Sequence, residues 1–417
     1  MQADRAGTAP AMIAVWALLF LAMRATGASA FCGDSSGDGF LTATDGLATL
    51  RAAVAGGYDA RADVAPAGGD GKVVAADALA TLRAAVTPVV PECAAWVRRR
   101  TLVSTAPIFF DSGGIGVVDM GDHDVEFRGG SLARDSVIRW QLGLAISVNR
   151  KGRNSLQVLD IDDEDLPTIK ECSVADGFDS NPHDVLLLSQ DKGYVTLYGG
   201  RELLVIDPTF LDPDVDPQCF DLIVDRIDLG GFDPDAVPQM DQMIVIGHEL
   251  FVSMHRLDGA LQAKLTGMLA IVDTQSDAVT GQVELAITNP FSETKGLLYD
   301  ERSGILYAAG PGKVFDDLGD GGIEAIDPAT RQSLGVLATG ADLGGDLFDL
   351  VVVGTRRAYA VVANDTGNAV VEVDLMDGSV ESVVVATSDD QISDIELSES
   401  GELWVAFRED TAQTDPG

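Results

Sequence analysis

The sequence predicts a mainly β chain: a six-bladed β-propeller, with seven blades as the alternative, preceded by a small α-helical module. Three observations lead there. Beyond residue 101 no long helical period appears, and short β-branched and aromatic runs alternate with Gly, Asp, Asn and Pro turns. Those runs fall into four classes that recur in a constant order. Before them a twelve-residue segment occurs twice, as Ala43–Val54 and Ala75–Val86, with ten of the twelve positions identical.

The four classes define a repeating unit. One class opens it, as in Asp184–Ser189, Asp241–Gly247, Gly296–Asp300, Asp349–Gly354 and Asp394–Ser398. The next includes Leu142–Val148, Gly193–Tyr198, Glu249–Met254, Gly304–Ala309, Arg357–Ala363 and Gly401–Phe407. A third ends on a hydrophobic residue followed by Asp, at Asp119, Asp160, Asp207, Asp273, Asp327 and Asp374. The last closes the unit, as in Thr168–Val174, Asp221–Ile227, Val279–Leu285, Ser333–Ala338 and Val380–Ala386. Four strands per unit of roughly 40–65 residues is the signature of propeller blades, which stack because one blade cannot bury both its faces. The chain runs out after a second-class strand, so Gly114–Asp119 and Asp124–Arg128 are expected to complete the last blade and join the two ends. Residues 101–110 hold a further strand that the six-blade count does not place.

The duplicated segment reads as two short helices. Leu47, Leu50 and Val54 share one helical face, as do Leu79, Leu82 and Val86, and the two stripes are expected to bury against each other. The loop before the first helix has the calcium-ligand spacing of an EF-hand. Asp34, Ser36 and Asp38 stand at positions 1, 3 and 5, and Gly39 permits the turn. Phe40 offers a carbonyl at position 7, Thr42 stands at position 9, and Asp45 closes the set at position 12. The second loop keeps positions 5 to 12, with Asp70, Lys72 and Asp77, but Asp63 lies three residues early for position 1. A weaker second site, or none, is expected there. The alternative for the first loop is an Asx-type turn capping a helix.

Residues 31–93 resemble a type I dockerin, a module of two calcium loops each followed by a helix. The resemblance rests on the residues from Gly33 to Val54 and from Asp70 to Val86. It implies calcium as cofactor and docking to a cohesin-like protein. The pairs Ala43-Thr44 and Ala75-Ala76 stand where the best-known cellulosomal dockerins carry Ser-Thr, which implies a different partner. The blades resemble YVTN, NHL and lactonase-like propellers in strand rhythm and terminal Asp, a likeness of fold from which function does not follow.

The first 30 residues have the form of a secretory signal. Ala11–Met23 is apolar but shorter than a membrane span, and Ala28-Ser29-Ala30 supplies the small residues before a cleavage point at Phe31. Bulky Phe31 argues against a lipoprotein reading of Cys32. A secreted chain is expected, with a periplasmic one as the alternative, and no membrane span remains after cleavage. The formal net charge of −38 disfavours nucleic acid as a partner. Four cysteines in an exported chain suggest two disulfides, and the favoured pairing is Cys32 with Cys93 and Cys172 with Cys219. Residues 94–100 form a linker, and residues 101–417 the propeller.

Opening strands start on or near carboxylates: Asp135, Asp184, Asp241, Asp349 and Asp394, with Lys295 at the matching place in the remaining unit. These side chains are expected to meet at one mouth of the central channel, with His183 beside Asp184. There they suit a divalent cation or acid–base chemistry, or simply cap strand-entry turns. No nucleophile elbow or zincin helix motif is present. Three functions remain. One is a secreted interaction protein, its helical module tethering a propeller that presents a binding face to a protein, carbohydrate or small molecule. Another is an extracellular hydrolase or lyase acting on a polysaccharide or lactone. The last is a calcium-stabilised structural protein without a docking partner.

Overall fold

The computed structural model describes residues 23–24, 43–55, 73–86 and, with short gaps, 100–409. Chain order begins with β1 (Met23–Arg24), α1 (Ala43–Ala55) and α2 (Ala75–Val86). A three-stranded sheet follows, built from β2 (Arg100–Thr105), β3 (Ser112–Asp119) and β4 (Val125–Ala133).

Blades then succeed one another as antiparallel sheets paired in chain order. Blade one is β5 (Ser136–Gln141), β6 (Leu144–Asn149), β7 (Ser155–Leu159) and β8 (Thr168–Ser173). Blade two is β9 (Pro182–Ser189), β10 (Lys192–Leu197), β11 (Glu202–Ile206) and β12 (Ile223–Asp228). Blade three is β13 (Met240–Ile246), β14 (Glu249–Met254), β15 (Met268–Asp273) and β16 (Ala278–Glu284). Blade four is β17 (Leu297–Asp300), β18 (Ile305–Gly310), β19 (Gly322–Asp327) and β20 (Gln332–Thr339). After the one-turn helix α3 (Gly340–Leu343) comes blade five: β21 (Asp346–Val353), β22 (Arg357–Asn364), β23 (Gly367–Asp374) and β24 (Val380–Thr387). Blade six is β25 (Asp390–Leu397) and β26 (Glu402–Glu409), with β1 paired outside β26. The protein is thus a mainly β, six-bladed propeller, with β2–β4 as an additional sheet.

Burial follows position within the blade. Second and third strands, covered by neighbouring blades on both faces, are buried almost throughout, as in β7, β10 and β15. Fourth strands alternate, so that in β8 only Lys170 and Cys172 turn inward. In several blades the Asp at the end of the third strand is a turn-former. Asp207, Asp273 and Asp327 each accept the N–H of the residue two places on, and a Ser or Thr hydroxyl donates to the same carboxylate. Two equivalent glycines open third strands where no side chain fits. Gly322 and Gly367 have φ of 137° and 138°, and a Cβ there would lie 2.0 Å and 2.1 Å from the Ala338 and Thr387 carbonyl oxygens.

Two expectations are corrected. The strands at residues 114–119 and 125–128 do not complete the last blade. They pair with each other, and β3 takes β2 as its other neighbour. Residues 100–105 supply the unplaced strand, and Ile115, Val117 and Leu132 pack against Ala145 and Leu159 of blade one. The helical stripes are not buried against each other either. Leu47 and Leu79 are 48% and 49% exposed, whereas Gly46 and Thr49 of α1 and Ala78 and Thr81 of α2 are buried. Gly46 leaves room for the Leu82 side chain: a Cβ there would sit 2.4 Å from Leu82 Cγ.

Cys172 and Cys219 form a disulfide that ties β8 of blade one to the segment before β12 of blade two. Cys32 and Cys93 lie outside the described residues. Among the described residues no helix is long and apolar enough to cross a membrane.

Candidate functional site

Four of the six innermost strands carry a β-bulge near their entry. In β9 the register slips at His183, in β21 at Phe348 and in β25 at Ser393, while in β13 Asp241 and Gln242 together oppose Ser253. Each bulge turns the following side chain toward the adjoining blade.

Asp184 shows what that side chain does. Its Oδ1 accepts from Arg139 Nε of blade one at 2.7 Å and from its own neighbour Val185 N at 3.0 Å. Oδ2 accepts from Met243 N of blade three at 3.0 Å. Asp349 repeats the arrangement: Oδ1 accepts from Ser292 Oγ and Leu350 N, and Oδ2 from Ile395 N of blade six. Both carboxylates are buried clamps between blades. Burial raises the pKa of each; Arg139 opposes it at Asp184, and a hydrogen bond with Asp394 opposes it at Asp349.

Gln242, not Asp241, is the counterpart of Asp184. Gln242 N donates to Ser253 Oγ as Asp184 N donates to Thr196 Oγ1, both at 2.9 Å. Its Oε1 accepts from Gly296 N of blade four. The bulge therefore moves Asp241 one place back, onto the position of His183.

There Asp241 joins two imidazoles. His183 Nδ1 donates to Asp241 Oδ1 at 2.9 Å, and His255 Nε2 donates to Oδ2 at 3.0 Å. Asn181 Nδ2 donates to His183 Nε2 at 3.1 Å, which fixes the proton on Nδ1. Tyr198 stacks on His183 with ring centroids 4.3 Å apart and meets His255 edge-on, and Phe291 meets the far side of His255. Burial, reinforced by the charge of Arg150, holds His183 down at about 4, so it is neutral at pH 7. Burial pushes Asp241 up, but the charge of His255 and the two imidazole hydrogen bonds outweigh it and keep the carboxylate ionised. Burial and the nearby Asp241 charge lift Tyr198 to about 12.

The carboxylates thus do not form one cluster. Asp241 meets His183, and Asp349 meets Asp394. Asp184 faces Arg139. Asp135 is exposed at the rim, with Arg150 Nη1 3.7 Å away. Lys295 reaches Glu396 of β25, two blades on, at 2.6 Å. Among the described residues no group of three or more His, Cys, Asp or Glu side chains is arranged to hold a metal ion. Of the calcium-loop residues, Asp34, Ser36, Asp38, Phe40, Thr42, Asp63, Asp70 and Lys72 lie outside the described residues, as does the Asp45 side chain. Asp77 is buried, and its Oδ2 caps α2 by accepting from Val74 N at 2.7 Å.

Gln242, Ser292, Tyr198 and Arg150 escaped the sequence reading because it followed charge at strand starts. The usable signal was positional. Arg150, Tyr198 and His255 each follow the second strand of their blade, and each donates its backbone N–H to the carbonyl just before the innermost strand, on Asp135, Asn181 and Gln239.

No protein-family model matches the sequence, and no curated protein matches it. Among solved structures the chain is similar to a streptogramin B lyase, at 10% identity and a TM-score of 0.49 over 74% of this chain and 97% of that one. It is also similar to the WD40 domain of coronin from Toxoplasma gondii, at 10% identity and a TM-score of 0.45 over 75% and 80% of the two chains. The dihydro-heme d1 dehydrogenase NirN matches at 13% identity and a TM-score of 0.46 over 73% of this chain, which spans 61% of that structure. The fold assignment rests on the strand topology itself: a six-bladed β-propeller.

Proposed function

We propose that this chain is an exported, non-catalytic interaction protein. Its duplicated loop–helix module binds calcium and docks onto another protein, and its propeller presents a ligand-binding face. The observation that carries the reading is the engagement of the inner-strand acids. Asp184 and Asp349 accept backbone N–H groups from neighbouring blades, and both oxygens of Asp241 accept from imidazoles. Carboxylates committed in this way hold a rigid scaffold together and are poorly placed to move protons on a substrate. In the first loop Asp34, Ser36, Asp38, Phe40, Thr42 and Asp45 would hold the ion, and Asp77 would serve the second. The alternative of an extracellular hydrolase or lyase draws on one feature, the interaction of Asp394 with buried Asp349.

The test is capture with the full chain lacking residues 1–30, immobilised and exposed to envelope and supernatant proteins of the source organism, first in calcium and then in chelator. Calorimetry on the same protein reports whether calcium binds. Calcium binding together with calcium-dependent capture of one protein supports the reading. Calcium binding without capture leaves a structural calcium clip. Turnover of a polysaccharide or lactone that is lost in Asp394→Asn would replace this reading with the enzymatic one.

A further inference from the structure

Blades one to five each carry four strands, whereas among the described residues blade six supplies two of its own, β25 and β26. As the second strand of its blade, β26 is apolar, and Leu403, Trp404, Val405 and Ala406 are buried. In the complete blades the next position belongs to a third strand. That strand runs antiparallel to the second and is buried almost throughout, as in β11, β15 and β19. A strand covered on both faces has to be apolar on both, so this position in blade six calls for a continuous apolar run.

Residues 410–417 follow β26 directly, but Asp410, Gln413, Asp415 and Pro416 make them unfit for burial in a sheet. The segment seated on the edge is β1. Met23 pairs with Leu403 and Arg24 with Glu402, antiparallel, in the direction of a third strand. Each further step back along the chain from Met23 is a step forward along β26. The same register sets Ala22 opposite Trp404, Leu21 opposite Val405 and Ala17 opposite Glu409, where β26 ends. Residues 17–22 lie outside the described residues, and their sequence, Ala-Leu-Leu-Phe-Leu-Ala, is the apolar run that the position requires.

We infer that residues 17–24 form the third strand of blade six in the uncleaved chain, with the outer edge of β26 as their docking surface. Their length matches the eight residues of β26, and third strands elsewhere run from five residues to eight. Main-chain hydrogen bonds supply the pairing and burial of alternate side chains supplies the specificity, as in any strand addition. Cleavage before Phe31 would withdraw the strand and leave the edge of β26 open to pairing. The inference goes beyond the proposed function: it concerns the chain before processing and is independent of docking by the helical module.

The test is hydrogen exchange, read over residues 404–409, on the full chain produced without export and on the chain lacking residues 1–30. Exchange is expected to be at least about tenfold slower in the full chain, because the added strand ties down the outward-facing amides of β26. Leu21→Asp in the full chain is expected to remove this protection, since it sets a charge opposite buried Val405. Ile13→Asp, beyond the end of the register, is expected to leave it intact. As a second route, a peptide of residues 17–24 with two lysines added at its N-terminus is expected to slow the same exchange when given to the shorter chain, and its Leu21→Asp form is not. Slowing by either route that Leu21→Asp abolishes supports the inference. Equal exchange in the long and short chains together with no effect of the peptide, or equal effects of Leu21→Asp and Ile13→Asp, would overturn it.

Discussion

His183 of blade two donates through Nδ1 to Asp241 of blade three at 2.9 Å, so a neutral imidazole and an ionised carboxylate join two blades. The partners respond to acid in different ranges. His183 is depressed from 6.5 to about 4, so between those values the unfolded chain binds a proton that the folded chain does not. Its contribution is complete above about pH 6.5 and is lost as pH falls toward 4, on the order of 3 kcal/mol in all. Asp241 is also depressed, so its contribution is present above the ordinary carboxylate range and fails only at lower pH. The melting temperature of the parent relative to His183→Gln should therefore fall between pH 6.5 and 4. Parallel curves for the two proteins would show that His183 titrates normally.

Removing the blade clamp should cost more than an ordinary surface change. Asp184→Ala removes the acceptor of Arg139 Nε and of the Met243 N–H between blades, and a loss of about 3–5 kcal/mol is expected in denaturant unfolding. A loss below about 1 kcal/mol would mean that water replaces the carboxylate without penalty.

The disulfide between Cys172 and Cys219 spans 47 residues and crosses from blade one to blade two. Replacing both by Ser should lower stability by about 2–4 kcal/mol, chiefly through the freer unfolded chain. Chemical unfolding of the double variant checks this, with reduction of the parent as a second route to the same loss.

At Gly322 the left-handed backbone and the Ala338 carbonyl act together against any side chain. Gly322→Ala should lower stability by about 2 kcal/mol or more, and Gly367→Ala should do the same in the next blade. A neutral effect at either position, read from thermal melting, would show that β19 or β23 can shift away from its outer neighbour.

Much of the architecture was legible in periodicity. Alternating apolar residues, turn chemistry around the terminal Asp residues and the order of four strand classes are local properties, and five complete blades follow from them. The Cys172–Cys219 pairing was favoured in advance and is present. Local pattern misassigned residues 114–119 and 124–128 to the last blade, because β2, β3 and β4 satisfy one another with hydrogen bonds that any β-rich segment offers. It also misjudged the helices. Their aliphatic stripes looked like a mutual interface, but Leu47 and Leu79 stay exposed while Gly46, Thr49, Ala78 and Thr81 are buried, and of the stripes Leu82 packs over Gly46.

The candidate site divides in the same way. His183, Asp184, Asp241, Asp349 and Asp394 could be named from their places at strand entries, since polar residues stand out against apolar runs. Which of them meet was decided by the tertiary structure. A β-bulge is a one-residue slip, and in β13 it exchanges the roles of Asp241 and Gln242, so that the amide becomes the blade clamp and the carboxylate joins two histidines. The sequence alone therefore determined the repeating blade and its polar entry points. Stacking of blades determined their chemistry, because burial and partners from adjoining sheets set both the geometry and the charge of each side chain.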